Sequence, residues 1–158
     1  MKSPMNLSEI PTSWRKRMND VNFYNEKPFE YHGIHNGVDY WIVSCGMHPL
    51  AYVKADKIDY CDKIYYDQLE CHGGISFKGF KVFSDTREFV LGWDYAHLGR
   101  NNYSILDYST LYAKCYNIDV SKLKRWTFDE VEKEVFEFID KYKLQEENGS
   151  TDLSERGE

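Results

Sequence analysis

The sequence is poor in the features that mark several large protein classes. It has no run of about 18 apolar residues, so no segment reads as a membrane-spanning helix. The opening Met1-Lys2-Ser3-Pro4-Met5-Asn6 lacks the apolar stretch of a secretory signal. Cysteine is sparse and scattered. Cys45, Cys61, Cys71 and Cys115 form no C-x-x-C pair, which argues against both a disulfide framework and a four-cysteine zinc site. Reduced thiols in a cytoplasm are the expectation. G-x-S-x-G, the P-loop, G-x-G-x-x-G and H-E-x-x-H are all missing, and with them the usual fingerprints of hydrolases, nucleoside triphosphatases, dinucleotide enzymes and zinc proteases.

A basic excess is also lacking. The formal charge is −6, and its distribution is uneven. From Thr127 to Glu158 acidic residues outnumber basic ones eleven to four, so the rest of the chain is close to neutral. The short run Arg15-Lys16-Arg17 is too small a footprint for duplex nucleic acid and reads as a solvated helix face. The near-neutral body can still accept an anionic ligand.

What is abundant is aromatic side chain: thirteen Tyr, nine Phe and four Trp in 158 residues. A chain of this length suits one domain, and much of its core must be ring packing. The first 28 residues read as a polar segment, with a short helix over Pro11–Met18 that Trp14 would anchor. From Phe29 the pattern is β. Phe29–His32 and Val38–Cys45 flank His35-Asn36-Gly37, and Asn-Gly between apolar runs signals a two-residue hairpin turn. Leu50–Val53, Leu69–Phe77, Phe80–Phe83 and Glu88–Trp93 read as further strands, the second interrupted at Gly73-Gly74. Ala55–Asp67 is expected to cross the surface, and Leu106–Asp119 is ambiguous between helix and loop. Thr127-Phe128-Asp129-Glu130 is a capping box, and apolar residues at 128, 131, 135, 138, 139 and 142 share one helical face. The expected architecture is α+β: a mostly antiparallel sheet of about five strands with a C-terminal amphipathic helix on one face. It covers residues 29–144, and residues 145–158 form a disordered acidic tail.

Histidine is scarce, five in all. Three lie beside loop or glycine positions: His48 in Gly-Met-His-Pro, His72 before the double glycine, and His97 shortly after Asp94. Four readings of this set stay open. His72 and His97 act as acid and base with Asp94 fixing a tautomer, while the Gly73 and Gly74 amides receive an anionic group. Alternatively His72, Asp94 and His97, with His48, hold a divalent metal. As a third reading they only grip a ligand on which Trp93 and Tyr95 stack. Finally, they are plain interior and turn residues. Cys71 adjoins His72, but neighbours on a strand point to opposite faces, so the two do not make a dyad there.

Cys71-His72-Gly73-Gly74-Ile75-Ser76-Phe77-Lys78-Gly79, followed by Val90-Leu91-Gly92-Trp93-Asp94-Tyr95-Ala96-His97-Leu98-Gly99, resembles a family of small, largely uncharacterised phage and prophage proteins. The likeness includes His48-Pro49 and the Thr127–Leu144 helix. It departs at Arg100, where the pattern usually has Asp, at Tyr95, where Cys is frequent, and at Leu91, which replaces an aromatic. The resemblance implies a bacterial host cell and an accessory or anti-defence role. Two forms of that role are open: recognition, with or without hydrolysis, of a small anionic nucleotide-like ligand, or noncatalytic contact with a host protein.

Overall fold

The computed structural model describes residues 29–44, 48–56, 69–95 and 126–156, with side chains as far as residue 147. The expected helix over 11–18, most of the surface crossing, the segment 106–119 and His97 lie outside the described residues. Among the described residues five strands form one antiparallel sheet: β1 (Phe29–His35), β2 (Val38–Ser44), β3 (Pro49–Lys54), β4 (Phe77–Val82) and β5 (Arg87–Asp94), in the order β1-β2-β3-β5-β4. One helix, α1 (Phe128–Arg156), packs on it. The architecture is therefore α+β, as the sequence pattern predicts.

The β1–β2 hairpin shows why its register is firm. Asn36 and Gly37 both have positive φ, 49° and 76°, the requirement of the tight turn that matches strand twist. His35 then pairs with Val38, and the ladder runs to Phe29 opposite Ser44. Alternation separates two layers. Tyr31, Tyr40, Ile42, Ala51, Val53, Leu91 and Trp93 face α1, while Trp41, Tyr52 and Val90 join Phe83 on the other side. Trp41 stacks on His32 and on Phe83, with ring centroids 4.6 and 4.1 Å apart.

All six apolar positions of the predicted helical face are buried: Phe128, Val131, Val135, Phe138, Ile139 and Tyr142. At about 1.5–3 kcal/mol for each large side chain removed from water, this face is what holds the helix to the sheet. Its start is the predicted box, with Glu130 N–H donating to Thr127 Oγ1 and Thr127 N–H donating to Glu130 Oε1. His35 adds a tie near the hairpin, stacked on Phe136 at 4.0 Å and 2.9 Å from Asp140.

Two boundaries differ from expectation. Residues 69–76 are not strand. A turn at Cys71–Gly74 replaces the interrupted strand, because Gly73 and Gly74 both take positive φ, which no ladder accommodates. The helix continues past Leu144 to Arg156, where a disordered tail was expected. The backbone thus stays helical beyond the last apolar position of the packed face. No described helix is long and apolar enough to cross a membrane.

Candidate functional site

One end of the sheet gathers most of the predicted residues. There β3 begins and β5 ends, with Leu50 opposite Asp94, and β4 begins with Phe77 opposite Gly92. His48 precedes β3, and the Cys71–Gly74 turn lies beside Tyr95 and α1. The four elements bring His48, His72, Gly73, Gly74, Trp93, Asp94 and Tyr95 to the same rim.

They do not meet on the same face. Along β5, Trp93 points into the helix-side core, and Tyr95 just beyond the strand lies there too, so the alternating Asp94 faces away. Its carboxylate accepts a hydrogen bond from Ser76 Oγ at 3.4 Å. The His72 ring lies on the helix side, flat against Tyr95 with centroids 5.0 Å apart and an interplanar angle of 11°. Trp126 closes on both rings, 5.0 Å from each. Asp94 and His72 therefore stand on opposite sides of β5, so Asp94 does not orient the His72 ring, while His97, the other imidazole it was expected to serve, lies outside the described residues. His48 Nδ1 donates to the Pro49 carbonyl, 3.0 Å away.

The double glycine is used for folding as well. Gly74 N–H donates to the Cys71 carbonyl at 3.0 Å, closing the turn, so that amide is not offered to an anion. Among the described residues no group of three His, Cys, Asp or Glu side chains gathers as a metal site would need.

The residue at the centre is one that sequence reasoning missed. Glu134, on the second turn of α1, accepts the His72 backbone N–H at 2.7 Å and the Tyr95 hydroxyl at 2.9 Å. The Tyr95 oxygen in turn accepts from Trp93 Nε1 at 2.9 Å. This chain ties β5, the turn and the helix together. The available signal was spacing: Glu130 and Glu134 follow one another by one helical turn beside the apolar positions 131 and 135. Beside Trp126 a shallow hollow of about 270 Å³ opens, lined by Glu130, Lys133, Glu134 and Glu137. A larger cleft, about 480 Å³, lies at the other end of the sheet around Val38, Ala55, Phe89 and Tyr142, and none of the described predicted site residues lines it.

No known protein family, curated protein or solved structure matches the chain.

Burial, with Glu134 nearby, pushes the Cys71 thiol up to about 12, against the smaller opposing effect of the Gly74 N–H. The thiol is thus a packing group at neutral pH, not a nucleophile. Burial first and the Glu134 charge second also raise Tyr95. Tyr40 is raised by burial, by its bond with Tyr31 and by Glu132. All three groups hold their protons more tightly folded than unfolded. Their stabilising effect is complete below the unfolded values of 9.0 for the thiol and 10.0 for the phenols, and is lost as pH rises above them. The melting temperature is expected to fall steadily above about pH 9. A flat profile from pH 8 to 11 would contradict the burial of these groups.

Proposed function

We propose that this chain is a noncatalytic interaction protein that binds a host protein, in an accessory role inside an infected bacterial cell. The observation that carries the reading is that several polar groups at the sheet rim are engaged with one another. Glu134 holds His72 N–H and Tyr95, Gly74 N–H holds Cys71, and His48 Nδ1 holds Pro49. Such a network rigidifies a surface, which suits a preformed contact for a partner. The cellular setting comes from the resemblance of the His72–Gly79 and Gly92–Gly99 motifs to phage and prophage proteins.

The surface offered is the hollow at Trp126. An indole flanked by carboxylates suits a basic side chain of a partner, which can lie on the ring and pair at the rim. The same negative rim opposes a phosphate-bearing ligand there. A second reading, recognition of a small anionic nucleotide-like molecule with or without hydrolysis, has one observation in its favour. The stacked His72 and Tyr95 rings lie next to exposed Gly73 and Gly74, and stacked rings can continue onto a base.

The deciding experiment uses the full chain, Glu137→Lys and His72→Ala. Under the first reading, tagged wild type retains a defined bacterial protein, Glu137→Lys releases it without a change in melting temperature, and no nucleotide shifts that temperature. A rise with a nucleotide that His72→Ala abolishes would put the second reading in its place.

A further inference from the structure

β1 and β4 stand at opposite ends of the sheet order, yet they meet across the face turned away from α1. Ser84, just past β4, donates its N–H to both carboxylate oxygens of Glu30 in β1, at 3.2 and 3.1 Å, and its hydroxyl to one of them. Phe83 reaches β2 and lies flat on Trp41, with centroids 4.1 Å apart and an interplanar angle of 7°. Both contacts pass over β3 and β5, so the end of the β4–β5 hairpin folds back over the sheet. The register shows where it departs. Val90 is the last β5 residue paired with β3, opposite Lys54, and Ala55 N–H reaches the Phe89 carbonyl one step further on. Opposite Val90 in the β4–β5 ladder stands Gly79, whose φ of 154° lies in a region open to glycine.

Strand alternation gives the folded-back end an inner and an outer side. Phe83, 4% exposed, and Lys81, 4.8 Å from the centre of the Tyr52 ring, lie inside. Phe80 and Val82 lie outside, at 50% and 73%, with the Arg87 guanidinium over the Phe80 ring. Trp41 beneath is 1% exposed, yet its Nε1 is buried with no acceptor among the described residues. Closure therefore carries the cost of an unmet donor. At the tip it is held by the Glu30 carboxylate and the Phe83 ring, and at the base by the Lys54–Glu88 pair, 3.4 Å apart.

We propose that residues 80–88 are a hinged flap, turning at Gly79, that gates access to Trp41 and is latched by Glu30. The proposal is independent of what the protein binds at Trp126. Raising the flap parts Ser84 from Glu30 and Phe83 from Trp41. The turn bond from Phe83 N–H to the Thr86 carbonyl, the Ala55–Phe89 bond and the helix-side core all stay intact. The open form uncovers the Trp41 ring and gives its N–H access to an acceptor.

Hydrogen exchange followed by NMR on the full chain reads the opening, with Trp41→Phe identifying the indole signal. In wild type the Trp41 indole N–H and the Ser84 amide should be at least about tenfold less protected than the Val135 and Ile139 amides of α1. Their protection should also fall less steeply with urea, because a lifted flap exposes less surface than unfolding does. Glu30→Ala removes the latch and should lower the Trp41 indole protection about tenfold. Ser84→Ala keeps the amide bonds to Glu30 and should lower it less. Val82→Ser, on the outer side, should leave it as in wild type. A wild-type indole protected as strongly as the helix amides, with the same urea slope, would mean that Trp41 is reached only by global unfolding, and the proposal fails. It fails equally if folded Glu30→Ala protein keeps the wild-type protection at Trp41, or if Val82→Ser lowers it as much as Glu30→Ala.

Discussion

Replacing Glu134 by alanine is expected to lower the unfolding free energy by about 2–4 kcal/mol. Two donors lose their acceptor at once. One is the hydroxyl of Tyr95, a residue fully buried, and the other is the His72 amide in a turn that has no ladder to join. Hydrogen bonds to a charged acceptor contribute about 1.5–3 kcal/mol each, and a buried donor left alone keeps its desolvation cost. The lower part of the combined range is favoured because Glu134 is half-exposed and water can reach part of the gap. Glu134→Gln retains an acceptor oxygen and should recover most of the loss. Removing the charge also removes one influence that raises the Cys71 thiol, so alkylation of Cys71 should set in at lower pH in Glu134→Gln than in wild type. Denaturant midpoints for the two variants test the first claim, and peptide-mapped alkylation tests the second. A Glu134→Ala protein as stable as wild type would remove Glu134 from the centre of the rim.

Gly33→Ala is the second large effect, about 2–4 kcal/mol. Gly33 lies opposite Tyr40 in the β1–β2 ladder. A Cβ there would sit 2.7 Å from Tyr40 Cε1 and closer still to Cζ and the hydroxyl. The ring cannot simply swing away. Its hydroxyl donates to Glu132 at 2.9 Å, both residues are buried, and the ring packs against Tyr31 and Phe136. Moving it costs both packing and a buried bond to a carboxylate. Tyr40→Leu in the Gly33→Ala background should be less harmful than the two single effects summed, since the smaller side chain relieves the overlap. Additive losses would mean that the overlap is not the cause.

Much of the fold was legible in the chain, and the reasons differ by element. The Asn36-Gly37 turn was clear because positive φ at two successive residues admits very few side chains. The helical face was clear because a six-position apolar stripe has one periodicity. Residues 69–76 were misread because apolar content around paired glycines suits both a bulged strand and a turn, and only the Gly74–Cys71 bond distinguishes them. The sheet order could not be read either. β3 pairs with β5 rather than β4, a choice set by which strands share the helix-facing core.

The candidate site divides the same way. Local sequence determined that His48 and Asp94 would stand at strand ends, since glycine, proline and polar residues stop ladders by their own backbone limits. It also determined the capped helix and its buried stripe. Tertiary structure alone decided that His72 meets Tyr95, Trp126 and Glu134 instead of Asp94. The side of a sheet on which a loop residue settles depends on where the chain returns across it, and that is set by packing between elements distant in sequence, which no local pattern records.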